Sequence, residues 1–236
     1  MQSTGQQPQA TAVKEEPKQP PKPVPPPEFQ SEKIRTLDEA GLIQILKDPS
    51  ATTFQKAKAC QRLASTGTKE AIPALAALLT DPQLGHYARY GLEPIPDPSA
   101  DDALRGALPK VKGRLLAGAI DSIGKRKDAK SAGTLARLLN NADPVVAQAA
   151  AAALGNISGL EAAKALQSGL GRTKGAMHRA VAGAALVCAE GLLAQGQRAQ
   201  ALDLYSMLAR PDVPKHVRLA AMHGIIAAET SLSRPR

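Results

Sequence analysis

Val146-Ala147-Gln148-Ala149, running on through Ala153-Leu154-Gly155, is the stretch whose reading decides the fold. It is built almost wholly of Ala and Leu, the strongest helix formers. Asp143 and Pro144 stand just ahead of it and Gly155 closes it. An Asp can cap a helix start, and Pro is tolerated in the first turn. The stretch therefore reads as one helix with its own start signal.

Working outward, similar runs recur on both sides. Toward the N-terminus they begin at Lys56, His86 and Leu115, and toward the C-terminus at His178 and Val217. Successive starts are about 30 to 40 residues apart, the period of helical solenoids. Shorter runs alternate with them at residues 72–79, 133–139 and 202–208. These place Leu or Met at i, i+3 and i+4 and stop at an Asp and a Pro: Asp81-Pro82, Asp143-Pro144 and Pro211-Asp212. The unit is a helix, an Asp/Pro turn whose Asp caps the next helix, a second helix and a Gly. One such unit cannot bury both of its apolar faces, whereas stacked neighbours share a continuous core. The expected fold is all-α, a right-handed α-solenoid of about six helix pairs over residues 37–230.

The flanks read differently. The first 30 residues hold 8 of the 19 prolines and almost no aliphatic side chains. Residues 1–36 are thus expected to form a disordered tail or linker. An alternative is a docking peptide at Pro21-Lys22-Pro23-Val24-Pro25, able to enter an aromatic groove. Residues 231–236 are expected to be a flexible C-terminus. Within the solenoid, Glu93-Pro94-Ile95-Pro96-Asp97-Pro98 forbids a regular helix and reads as an ordered loop between the second and third pairs. Ser99 or Asp101 is the expected cap of a helix over residues 103–108.

Composition narrows the classes. Hydrophobic residues make up 43% of the chain but aromatic ones only 2%, with no Trp, which argues against a β-sandwich. The net charge of +9 favours solubility and attraction to acidic surfaces. Cys60 and Cys188 are too few for a disulfide framework and read as buried small hydrophobes. No charge-free apolar stretch is long enough for a membrane span. Residues 1–12 are polar and do not read as a signal peptide. The expected location is cytoplasmic if Met1 is the true start.

The Val217-Arg218, Ala153-Leu154-Gly155 and Ile123-Gly124 positions resemble those of HEAT repeats, across nearly all of residues 37–229. Residues 48–128 carry a narrower resemblance. It rests on Lys56-Ala57-Lys58-Ala59-Cys60-Gln61-Arg62-Leu63-Ala64, Gly67-Thr68-Lys69-Glu70-Ala71-Ile72-Pro73, His86-Tyr87-Ala88-Arg89-Tyr90-Gly91-Leu92 and Gly113-Arg114-Leu115-Leu116. They look like the HEAT region of multidomain bacterial proteins of the planctomycete and verrucomicrobial groups. In that family the array is often joined to a 3-keto-disaccharide hydrolase-like domain. The resemblance implies a role accessory to a carbohydrate-degrading enzyme of the cell envelope, and a periplasmic or secreted location if a signal precedes Met1.

Candidate binding residues fall in two groups. The histidines His86, His178, His216 and His223 lie on or beside second helices, three of them near Arg89, Arg179 and Arg218. Lining one face, they would make a ladder for carboxylates, phosphates or an acidic protein surface; alternatively Arg179 and Arg218 bond between repeats. The segment around the loop gathers His86, Tyr87, Arg89, Tyr90, Glu93 and Asp97, a contact site set on a rigid scaffold. Its structural alternative has Tyr87 and Tyr90 packing the loop while Arg89 bonds Glu93 or Asp97.

No His pair has the spacing of a zinc helix, and no Gly-x-Ser-x-Gly elbow, Walker loop or Cys-x-x-Cys is present. No metal or cofactor is therefore expected. The reading is a non-catalytic, monomeric scaffold that binds a protein partner or a covalently linked domain. Nucleic-acid binding and a HEAT-type lyase are the alternatives.

Overall fold

The computed structural model describes residues 32–230. Residues 1–31 of the tail expected over 1–36, with the docking-peptide alternative at 21–25, and the C-terminus expected over 231–236 lie outside the described residues. The described residues open with a short helix, α1 (Glu32–Arg35), ahead of the expected boundary at residue 37. Its Ile34 is buried in the core.

Six antiparallel pairs follow among the described residues. They are α2 (Glu39–Lys47) with α3 (Thr53–Thr66), α4 (Ile72–Ala77) with α5 (Gly85–Leu92), and α6 (Ser99–Ala107) with α7 (Gly113–Lys125). Then come α8 (Ala132–Leu138) with α9 (Pro144–Ile157), α10 (Leu160–Arg172) with α11 (Gly175–Ala194), and α12 (Arg198–Leu208) with α13 (Lys215–Thr230). Second helices stack in one layer, in the order α3, α5, α7, α9, α11, α13. First helices form the other layer, where α2, α4 and α6 pack in turn, as do α8, α10 and α12. Leu63, Leu92, Ile120, Leu154 and Leu192 from the second layer meet Leu42, Leu75, Leu104, Leu135 and Leu166 from the first, all fully buried. The result is one apolar core running from Ile34 to Ala221. No strand occurs among the described residues, and the expected α-solenoid is the observed fold.

The turn chemistry is more varied than the Asp/Pro reading. Asp143 behaves as expected: its carboxylate accepts from Val145 N at 2.9 Å, and Pro144 is the first residue of α9. Asp81 instead accepts from Gln83 N and Leu84 N within the turn, and α5 starts without a side-chain cap. Asp212 stays in its loop beside Arg210, 3.5 Å away. The fullest cap lies at α3, where Thr52 and Gln55 form a reciprocal capping box. At α6 the expected cap is corrected. The helix starts at Ser99 rather than near residue 103, so Ser99 and Asp101 both lie inside it. Pro98 holds the N-cap position without a side-chain cap, and Asp97 in the preceding loop accepts from Ser99 N at 2.9 Å and Ser99 Oγ at 2.6 Å.

Helix α11 alone among the described helices is long and apolar enough to cross a membrane. It is packed between α9, α10, α12 and α13, with Val181, Ala185, Cys188 and Leu192 buried. Cys60 and Cys188 are both buried free thiols.

Candidate functional site: a groove across three second helices

The turn at Asp81 aims α5 so that His86 and Arg89 face the neighbouring second helices. On α7, Arg114, Gly118, Asp121 and Lys125 recur every three or four residues and so share one face. On α9, Val145, Ala152 and Asn156, seven and four residues apart, likewise share one face. Together these side chains line a groove of about 520 Å³ across three pairs. Its floor is lined by small residues, Ala117, Gly118, Ala152 and Ala153. Small floor residues keep the backbones close and the groove open.

Arg89 reaches along this floor. Its Nη1 donates to the Gly118 carbonyl at 2.7 Å and lies 3.4 Å from Ser122 Oγ. A Cβ at Gly118 would collide with the guanidinium, so only Gly permits this contact. Burial lowers the Arg89 pKa, with Glu93 and Asp121 opposing it; the group stays cationic at neutral pH. Asp121 is exposed by surface area, yet partial desolvation in the groove raises its carboxyl, opposed by Arg89 and Lys125. The remaining carboxylate near the groove, Glu93, is engaged by Ser122 Oγ at 2.8 Å and Lys125 Nζ at 3.0 Å.

The expected Arg89 bond to Glu93 or Asp97 is therefore replaced. Arg89 ties α5 to α7, and the loop over residues 93–98 is held by a residue the sequence reading did not single out. Arg126 donates through Nη1 to the carbonyls of Glu93 at 3.0 Å and Ile95 at 2.6 Å, and through Nη2 to that of Asp97 at 3.1 Å. Its Nε pairs with Asp101, and its side chain is only 8% exposed. Three prolines in the loop leave carbonyls with no helical partner, and a five-donor guanidinium is the side chain that can meet several at once. That need was the one signal available in the sequence.

The remaining candidates separate. Tyr87 packs on the core and sets its ring edge-on to His86, 5.4 Å away. Tyr90 is half exposed and lines a shallow depression with Ala64, Glu93 and Pro94. Asp97 bonds Ser99 at the start of α6. His178 lies in a different cavity of about 400 Å³, with Lys174, Met207, Arg210 and Asp212. Both its ring nitrogens are buried without a partner. Arg179 is exposed beside it. His216 is exposed on the first turn of α13, and Arg218 Nη1 donates to the Pro211 carbonyl at 3.3 Å within its own pair. The structure thus brings His86 and Arg89 together with Arg114, Asp121 and Lys125, and sets the other two His/Arg groups apart. Arg114 and Asn156 were not among the expected site residues; single exposed polar positions on Ala-rich helices carry no pattern of their own. Among the described residues no group of three His, Cys, Asp or Glu side chains could hold a metal ion.

Residues 102–187, from α6 into α11, match the family of HEAT repeats. No curated protein matches the chain in sequence. A designed armadillo repeat protein, solved in complex with the peptide (KR)4, superposes with a TM-score of 0.50 at 18% identity. That match covers 81% of this chain and 99% of the designed one. An engineered protein of known crystal structure matches at 20% identity and a TM-score of 0.43, over 80% of this chain and 97% of its own. With its helix pairs stacked into two layers, the chain is an α-solenoid, and residues 102–187 of it match the HEAT repeats.

Proposed function

We propose that this scaffold binds protein, and that the groove over α5, α7 and α9 receives an extended acidic segment of a partner or of a linked domain. The observation that carries this is the groove's lining: Arg114, Lys125, Arg89 and His86 stand against the single carboxylate Asp121, with Asn156 at the far side. A cationic groove over a rigid floor steers an acidic chain and fixes its register, while Asn156 offers both a donor and an acceptor to its backbone. The designed armadillo repeat protein is in complex with a basic peptide; the charge of the present groove calls for the opposite sign. The resemblance of residues 48–128 to arrays joined to hydrolase-like domains suggests an enzyme of carbohydrate degradation in the cell envelope as the partner. It also suggests an exported location.

The test is fluorescence polarisation with a labelled Asp/Glu-rich peptide, a (KR)4 peptide and a single-stranded oligonucleotide. The acidic peptide is expected to bind, to weaken as salt rises, and to lose roughly tenfold in affinity with Arg114→Glu. Arg114 is exposed, so the fold survives the change. Tighter binding of the oligonucleotide, lost in the same variant, would replace this reading with the nucleic-acid one. Binding of neither would remove the groove as the site.

A further inference from the structure

The two ends of the stack differ. At the first end α1 lies against α3 and buries Ile34, which is 6% exposed. At the other end α13 packs on α11 and α12, while its outer stripe meets no further helix among the described residues. Leu219, Met222 and Ile226 are 48%, 48% and 58% exposed, at i, i+3 and i+7. The buried residues Val217, Ala221 and Ala228 repeat the spacing of Val146, Ala150 and Ile157 in α9. In that register Met222 and Ile226 stand where α9 has Ala151 and Gly155. Gly155 lies against Ala184 of α11. The α13 stripe is therefore the face on which α9 receives the next second helix, continued with larger apolar side chains.

We propose that this face pairs with its own copy, two α13 helices crossing antiparallel about a two-fold axis at Met222. The order of charges along the stripe selects this occupant. Lys215 lies seven residues before Met222 and Glu229 seven residues after it, both exposed. Within one helix they are about 21 Å apart and cannot pair. Antiparallel pairing through Met222 puts Lys215 of each copy opposite Glu229 of the other, and Leu219 opposite Ile225 and Ile226. Parallel pairing would set like charges against each other. A self-complementary patch is what an isologous interface requires. A single helix–helix contact is at the small end of stable interfaces, so the dimer forms reversibly in the micromolar range.

Sedimentation velocity on the full chain across a concentration series tests this. The wild-type chain is expected to approach twice the monomer mass at high concentration. Ile226→Glu should weaken self-association roughly tenfold or more, with the helical circular dichroism spectrum unchanged because the residue is exposed. Lys215→Glu and Glu229→Lys should each weaken it, and the double reversal should restore it. Met222→Cys should cross-link to itself under mild oxidation, while Leu160→Cys, equally exposed on α10, should not. A chain that stays monomeric at every concentration, a dimer that survives Ile226→Glu, or charge reversals that fail to rescue each other overturns the proposal.

Discussion

At the scale of single residues, the side chains that hold the second and third pairs together are the ones that gather unsatisfied backbone. Arg126 meets the carbonyls of a Pro-rich loop and pairs with Asp101, with almost no access to water. Arg126→Ala would leave those acceptors and a half-buried carboxylate without their donor. The expected loss is about 2–4 kcal/mol of stability, read from urea unfolding. Lys125→Ala, which removes a mostly exposed partner of Glu93, should cost less than ~1 kcal/mol in the same assay. Asp121 supplies a pH test. Partial desolvation raises its folded pKa above the ordinary 3.8, so its neutral form is favoured in the folded state. Its contribution is fully present below pH 3.8 and is lost as pH rises through the folded value. Asp121→Asn should therefore match wild type below that range and be the more stable of the two at neutral pH, in denaturation series at the two pH values. The thiols give a third check. Burial pushes Cys60 up to about 12 and Cys188 to about 11. Neither should react with iodoacetamide at pH 8 until the chain unfolds, and rapid native alkylation would show that the core opens.

At the scale of elements, the second helices decide the spacing of the stack through their smallest residues. A Cβ on Gly155 would lie 2.8 Å from the Ala184 carbonyl oxygen and 3.2 Å from Ala184 Cα, both backbone atoms of α11. Ala is the better helix former by about 1 kcal/mol, but overpacking against backbone costs about 1–3 kcal/mol. Gly155→Ala should thus destabilise, by up to ~2 kcal/mol. Gly183, midway along α11, has nothing within 4 Å of its would-be Cβ. Only the propensity term applies there, and Gly183→Ala should stabilise by ~0.5–1 kcal/mol. Thermal melts of the two variants should move in opposite directions. These elements also show what the sequence made legible. The runs at Lys56, His86, Leu115, Val146, His178 and Val217 all fall inside second helices, because Ala-rich periodicity reports a buried face directly. Caps were read less well: Asp143 caps α9 but Asp81 and Asp212 do not cap their helices, since a cap depends on turn geometry that the Asp/Pro pair alone does not set. The groove was legible in part. His86 and Arg89 sit on it, but Arg114 and Asn156 join them only through stacking of helices about 30 residues apart.

At the scale of the whole molecule, a solenoid is stabilised mainly by contacts between neighbouring pairs, so stability depends on position along the stack. Helices α7, α9 and α11 each have second helices on both sides, whereas α13 has one. Amide exchange should accordingly be slowest in α7, α9 and α11 and at least roughly tenfold faster at the termini of the stack. Within that gradient the two ends should respond differently to concentration. The first end is covered by α1 from the same chain, so protection of α2 and α3 should not change as the protein is diluted. Among the described residues no helix covers the outer face of α13, and the proposed second copy would, so the α13 amides should gain protection as concentration rises through the dimerisation range. Ile226→Glu should remove that gain and leave the protection of α7 and α9 intact. A concentration-independent α13 would mean that its Leu219–Met222–Ile226 stripe is met by water alone, and the last pair would then be the point where the stack begins to unzip.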